Sequence, residues 1–282
     1  MFEELSKNYL VKKINRTTFI HTTGFAIAGA LVTDGMTAGP NTPKIKTLAF
    51  DAFAIFDPRA IFKTVEDLFP EKAKQIIQVW QYKQFSYQWL RLLGTRYKNF
   101  WDVTRDALDA TFAQYGITAK PKEKDAIMAK YNVIDVWPDV IPGLRQVKKQ
   151  DIKICFLSNM TAKMLHQGIE NARLDEYFDF VISTDERQTF KPSPKAYQMA
   201  VEKLRLRKEE ILYVPFAGWD MAGAKWFGYP TFWLNRSNSS PEMLDVEPDG
   251  RGNNMNDVVA FIRKWNRKGE PCNPRSFGFF PE

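Results

Sequence analysis

Histidine and cysteine are scarce in this chain, with two of each in 282 residues. His21 and His166 are too few for a histidine-rich metal site. Cys155 and Cys272 cannot form a disulfide framework. Cys155 stands in the apolar run Ile152 to Leu157 and reads as a buried free thiol. The formal charge of +7 is not gathered into a Lys/Arg block, and no nucleic-acid motif accompanies it. Residues 1–44 carry five positive and three negative side chains, so +5 is spread over the remainder. That describes a mildly basic surface attractive to small anions and gives no reason to expect a nucleic-acid partner. After the N-terminal segment no run reaches the ~18 apolar residues needed to span a bilayer. The 44% hydrophobic and 26% charged residues fit a globular protein large enough for one main domain with an insertion.

Residues 1–44 differ in kind from the rest. Lys12, Lys13 and Arg16 precede the small-residue apolar run Phe19 to Val32, and Thr33 to Pro43 has linker composition. This is the layout of an export signal. Asn15-Arg16-Thr17-Thr18-Phe19-Ile20 is similar to a twin-arginine motif, with Thr17 where the second arginine belongs. The expectation is export to the periplasm if the signal is real, and a cytoplasmic protein otherwise. An uncleaved arm touching a membrane through this segment alone is the competing reading, and His21 inside it is incidental.

Thr47 to Phe50 reads as a short buried strand that ends on Asp51. Open α/β sheets bind ligands beyond the carboxyl ends of their strands, so a carboxylate there suits a nucleophile or a metal ligand. Ile61, Val65, Leu68 and Phe69 then have helical spacing, continued by Ile76, Ile77, Trp80, Tyr87, Leu90 and Leu93. Phe100 to Tyr115 and Glu123 to Tyr131 predict two more helices. About 75 residues of helix between two strands is too long for a simple crossover and reads as an inserted all-α cap.

Helix Leu144 to Gln150 leads into strand Ile152 to Leu157 and helix Ala162 to Asn171. Strands Phe178 to Ser183, Ile211 to Val214 and Thr231 to Leu234 follow, separated by helices Lys195 to Leu204 and Met221 to Phe227. Asp257 to Trp265 predicts a closing helix. The alternation implies an α/β fold, a parallel doubly wound sheet with an inserted α-helical cap. The expected division is 1–44 signal-like segment and linker, 45–57 with 137–265 the α/β core, 58–136 the cap, and 266–282 a C-terminal arm.

Polar residues suited to a site follow the successive strands: Asp51, Ser158-Asn159, Lys191 and Asp220. Phe-Asp51, Leu-Ser158-Asn159, Lys191-Pro and Trp219-Asp220, in this order and with helices inserted after the first, resemble the haloacid dehalogenase superfamily. Further motifs are Trp80…Tyr87-x-Trp-Leu-Arg91, Pro138-Asp-Val-Ile-Pro-Gly-Leu144, Lys191-Pro…Tyr197 and Gly-Trp-Asp220-x-x-Gly-Ala-Lys-x-Phe-Gly228. These are similar to the L-2-haloacid dehalogenase (type II) branch over residues 45–265.

The resemblance implies nucleophilic displacement. Asp51 would attack the halogen-bearing carbon of a small anionic 2-halo acid with inversion, and water would hydrolyse the resulting ester. Lys191 would keep Asp51 ionised, and Asp220 would anchor Lys191 and activate the water. Ser158 would hold the substrate carboxylate, Asn159 the leaving halide, and Tyr197 the lysine and the nucleophile's surroundings. Gln81 stands where the family carries an arginine that grips halide and carboxylate. The branch uses no cofactor or metal. Superfamily phosphatases place a second aspartate two residues after the nucleophile, and Phe53 occupies that position here. Phenylalanine neither donates a proton nor ligates a metal.

Ile55, Pro215 and Ala217 replace a threonine, a serine and an asparagine of the family pattern. Lost transition-state contacts cost ~10²–10³-fold each and do not add. Two expectations follow. One is a dehalogenase-type hydrolase that is weak or altered in substrate, and the other a catalytically decayed pseudoenzyme with a binding or assembly role. The cap helices are also candidates for a homodimer contact.

Overall fold

The computed structural model describes residues 43–268. Residues 1–42 and 269–282 lie outside them, and with them the signal-like run, most of the linker, His21 and Cys272. Strand β1 (Thr47–Phe50) is followed by a one-turn helix α1 (Ala52–Ile55) and four longer helices. These are α2 (Arg59–Leu68), α3 (Ala73–Leu93), α4 (Phe100–Gln114) and α5 (Pro121–Ala129). The chain then runs α6 (Val140–Lys148), β2 (Lys153–Ser158), α7 (Ala162–Asn171), β3 (Phe180–Ser183), α8 (Pro194–Leu204) and β4 (Ile211–Val214). It continues through α9 (Gly218–Phe227), β5 (Phe232–Leu234), β6 (Gly250–Gly252) and α10 (Met255–Lys268).

The fold is α/β, a parallel sheet in the order β3-β2-β1-β4 with helices α2–α5 inserted as a cap after β1. A bridge from Tyr213 to Thr231 and the bond from Leu234 N–H to the Pro215 carbonyl extend the sheet into the parallel pair β5–β6. Strand β1 lies between β2 and β4, and all four of its residues are buried. Burial on both faces explains why its sequence is a continuous run with no alternation. Cys155 is a buried free thiol on β2, and burial pushes its pKa up. Among the described residues no helix is long and apolar enough to cross a membrane.

Three elements differ from the pattern-based expectation. Helix α6 starts at Val140, ahead of Leu144, and takes in Pro142 and Gly143. Pro142 is the third helical residue, where the missing N–H would have no helical partner anyway. Gly143 is required by close packing, since a Cβ there would stand 2.3 Å from that of Met255 on α10. Strand β6, Gly-Arg-Gly, carries none of the β-branched or aromatic residues that mark a strand. Residues 266–268 continue α10. Asn266 there accepts from Ile45 N–H at 2.8 Å, and Trp265 donates to the Pro43 carbonyl at 3.1 Å, so the last helix fixes the approach to β1.

The buried stripe of α3 also departs from the apolar spacing. It runs Ala73, Ile76, Trp80, Gln84, Gln88, while Leu90 and Leu93 are exposed. Trp80 donates to the Thr104 carbonyl at 2.9 Å and packs within the cap. The two glutamines are tolerated inside because each has a hydrogen-bond partner there.

Helix α7 lies close over β1's exit. A Cβ on Gly168 would fall 2.5 Å from the Phe56 ring, itself fully buried and stacked on Phe156. Gly168→Ala is expected to lower the unfolding free energy by about 1–3 kcal/mol, the cost of overpacking a rigid core. Urea unfolding monitored by circular dichroism measures it, and an unchanged midpoint would mean the helix simply shifts outward.

Candidate active site

Asp51 leaves the end of β1 with its backbone N–H bonded to the Val214 carbonyl on β4. Its Oδ2 accepts the Phe53 N–H at 3.1 Å, so the nucleophile candidate also caps α1. Asp220 does not end a strand: it is the third residue of α9, after the turn Pro215-Phe216-Ala217. A carboxylate at that position gains from the partial positive charge of the helix start. Lys191 comes from the loop between β3 and α8.

The structure brings these three together. Lys191 Nζ donates to Asp51 Oδ1 at 2.8 Å, to Asp220 Oδ2 at 2.6 Å and to the Tyr213 hydroxyl at 2.6 Å. All three ammonium protons are therefore committed. Tyr213 in turn donates to Asp220 Oδ2 at 2.7 Å, and Tyr197 donates to Asp220 Oδ1 at 2.7 Å. Lys191 is 1% exposed. Burial opposes its charge, but Asp220 and Asp51 outweigh that and hold the ammonium above its ordinary pKa. Burial pushes the Asp220 carboxyl up, with Lys191 pulling it down and Asp51 adding to the rise. Burial likewise raises the Tyr197 and Tyr213 phenols far enough to keep both as neutral donors.

These groups open on a cavity of about 110 Å³ between sheet and cap. Asp51, Ser158, Asn159, Lys191 and Asp220 form its floor, and Gln81, Gln84 and Tyr131 stand on the cap side. Phe53, Phe62, Phe85, Phe216 and Trp219 supply apolar wall. Ser158 Oγ accepts the Met160 N–H at 3.2 Å.

Tyr197 supports the lysine site through Asp220, while Asn159, expected at the leaving halide, is largely engaged elsewhere. Tyr197 is fully buried behind Asp220 and does not line the cavity. Asn159 lines it, but its carboxamide is largely engaged: Oδ1 accepts from Lys191 N–H at 2.9 Å and Thr184 at 3.1 Å, and Nδ2 donates to Gln88 at 2.9 Å. It fixes the lysine loop, with one amide N–H left over. Neither Arg59 nor Arg91 replaces the family arginine, since Arg59 pairs with Asp57 and Arg91 with Asp106.

Tyr213, Gln84 and Gln88 did not stand out in the sequence. A tyrosine in a fully buried strand needs a partner for its hydroxyl, and that was the available signal for Tyr213. Tyr213→Phe should cost about 1–3 kcal/mol of stability, because it leaves a buried ammonium proton without an acceptor. Comparing urea midpoints of the two proteins tests this, and equal midpoints would mean that water replaces the hydroxyl.

A protein-family model described as haloacid dehalogenase-like hydrolase matches residues 31–228. The chain belongs to this family. An (S)-2-haloacid dehalogenase of Pseudomonas sp. (strain YL) is 31% identical over 227 residues, covering 80% of this chain and 98% of the relative. One from Xanthobacter autotrophicus is 37% identical over 186 residues, covering 66% of this chain and 73% of the relative. The solved structure of L-2-haloacid dehalogenase from Xanthobacter autotrophicus with chloropropionic acid covalently bound superposes with a TM-score of 0.71. It is 30% identical, over 78% of this chain and 98% of that one. Among the described residues no group of three or more His, Cys, Asp or Glu is arranged to hold a metal ion.

Proposed function

We propose that this hydrolase displaces halide at C2 of a small 2-halo acid through an ester on Asp51. The observation that carries the reading is the bridging of Asp51 and Asp220 by one buried lysine on the wall of a small cavity. A carboxylate oxygen of Asp51 bonds to C2 as the C2–halogen bond breaks, and the halide leaves with the bonding pair. Water then adds to the Asp51 Cγ, the ester bond breaks, and the 2-hydroxy acid departs. Asp220, its pKa raised by burial, is the group placed to take the proton of that water. Ser158 orients the acid, Asn159 and Tyr197 position Lys191 and Asp220, and Ile55, Gln81, Pro215 and Ala217 alter rate or preference.

The test is turnover of chloroacetate and L-2-chloropropionate in heavy-oxygen water, followed by peptide mass spectrometry. The reading expects halide release and heavy oxygen in the peptide that contains Asp51. Halide release with no label in that peptide would mean direct attack by water. The decayed-site alternative finds no support in a site whose lysine contacts both carboxylates.

The cap boundaries 58–136 and core boundaries 45–57 with 137–265 belong to the same proposal. So does pairing of two chains through the cap, supported by exposed Tyr82, Leu90 and Leu93 on α3 and checked by sedimentation. The composition of residues 1–44 supports export with removal of the segment. Native protein should then begin near Ala38 or Gly39, and an intact N-terminus by mass spectrometry would favour an uncleaved arm.

A further inference from the structure

Helix α1 is a single turn, and a turn so short leaves most of its carbonyls without helical partners. Each of its four carbonyls is nonetheless met. Phe56 N–H donates to the Ala52 carbonyl at 2.7 Å, and Trp137 N–H to that of Ile55 at 3.1 Å. Trp137 Nε1 donates to the Phe53 carbonyl at 3.0 Å, and Arg236 Nε to that of Ala54 at 2.9 Å. Two residues far along the chain, Trp137 and Arg236, thus supply three of the four bonds. At its other end the same turn holds Asp51, whose Oδ2 accepts the Phe53 N–H while Lys191 holds Oδ1. Whatever fixes α1 also fixes the carboxylate oxygen that the lysine does not hold.

Arg236 stands just beyond β5, and its side chain is 3% exposed. Besides Ala54 it donates through Nη1 to Asp139 at 2.9 Å, directly ahead of α6. Its guanidinium lies 5.0 Å from the centre of the Trp137 ring, and that of Arg59 lies 4.7 Å from the same ring. The arrangement is costly. Burial lowers the pKa of Arg236 against the opposing pull of Asp139, and Nη2 is buried with no partner among the described residues. A side chain kept only to fill this space would be apolar, since a well-packed hydrophobic residue does as well as a buried ion pair or better. What an apolar residue cannot supply is the N–H at Ala54.

We propose that Arg236 is a positioning residue for displacement at Asp51: through Ala54, and together with Trp137, it sets the turn that aims the carboxylate at C2. This rests on the reading of Asp51 as nucleophile. Arg236 touches no reacting atom and does not line the cavity. Displacement needs an oxygen lone pair in line with the C2–halogen bond, and a misplacement of ~1 Å costs on the order of 10²-fold. The lysine secures one oxygen and the turn secures the other. Loss of Arg236 therefore leaves the carboxylate able to rotate about the lysine bond.

The experiment compares the full chain with two variants. Arg236→Met keeps the stem and removes both bonds, and Trp137→Phe keeps a ring and the backbone N–H while deleting only the bond to Phe53. Halide release from L-2-chloropropionate is measured per folded molecule. Amide hydrogen exchange is read by mass spectrometry on the peptide that contains Asp51, Phe53 and Ala54. Arg236→Met is expected to lower kcat about 10²-fold with KM changed less than about twofold, and Trp137→Phe to lower kcat about tenfold. Exchange in the Asp51 peptide should quicken in both, with peptides of β2 and β4 unchanged. A purely structural arginine would raise exchange across the whole core and leave kcat per folded molecule where it was, and that result overturns the proposal. Unchanged exchange in the Asp51 peptide overturns it too, whatever the activity. If Arg236→Met does not fold, Trp137→Phe carries both measurements. Failure of the nucleophile reading shows separately, as release that is absent from the unaltered protein or survives Asp51→Asn. The exchange result then decides whether Arg236 holds α1.

Discussion

Replacement of Lys191 by methionine is expected to abolish halide release and to lower the unfolding free energy by about 3–5 kcal/mol, the cost of stranding buried charge. The lysine is 1% exposed and contacts two carboxylates and a phenol, so methionine fills the space and satisfies none of them. Asp220 is already pushed up by burial, with Lys191 the main influence pulling it down. Without the lysine that downward pull is lost and the carboxyl is pushed up further. The pH dependence separates this from a mere packing defect. A lysine whose folded pKa lies above its ordinary value stabilises fully below that value, and the contribution is lost as pH rises through the folded one. The unaltered protein should therefore lose stability in the strongly alkaline range, and Lys191→Met should lose less of it there. Parallel stability curves across that range would show that the lysine contributes shape and not charge.

Asp51→Asn is expected to cut halide release on the order of 10⁴-fold or more, as removal of a nucleophile does. Its effect on stability should be small by comparison. Asp51 is the more exposed partner of Lys191, with 14% of its side chain accessible against 1% for Asp220, and the lysine keeps Asp220 and Tyr213 when Asp51 turns neutral. Asparagine has one acceptor oxygen, so it keeps either the lysine proton or the Phe53 N–H and gives up the other. Activity and stability thus come apart at Asp51 and fall together at Lys191. Measuring both quantities in both variants decides the matter. Substantial unfolding of Asp51→Asn would mean that the pair on β1, and not the one on α9, holds the lysine.

The floor of this site could be read from the sequence because its parts are local. A short apolar run ending in aspartate, a serine-asparagine after the next strand and a lysine before proline each carry their own signal. Asp220 was legible as a residue but not as a helix position, because Gly218 at the head of α9 gives no strong start signal. The cap side was not legible. Gln84 and Gln88 interrupt a face that apolar spacing assigns to Tyr87, Leu90 and Leu93, and their burial is decided by partners far along the chain, Thr104, Tyr131 and Asn159. Asn159 shows the same limit. Its position after β2 was visible, yet its use depends on Gln88, which lies 71 positions earlier.

Helix α3 reaches the lysine loop at two adjacent residues, directly through Trp89 and by way of Asn159 through Gln88. Gln88 accepts from Asn159, and Trp89 donates to the Lys191 carbonyl at 3.2 Å while packing on Trp219. The roof of the chamber is thereby latched to the residue that arms its floor. Any outward shift of α3 would have to break both bonds, so the position of the cap and that of the lysine's backbone are coupled through Gln88 and Trp89.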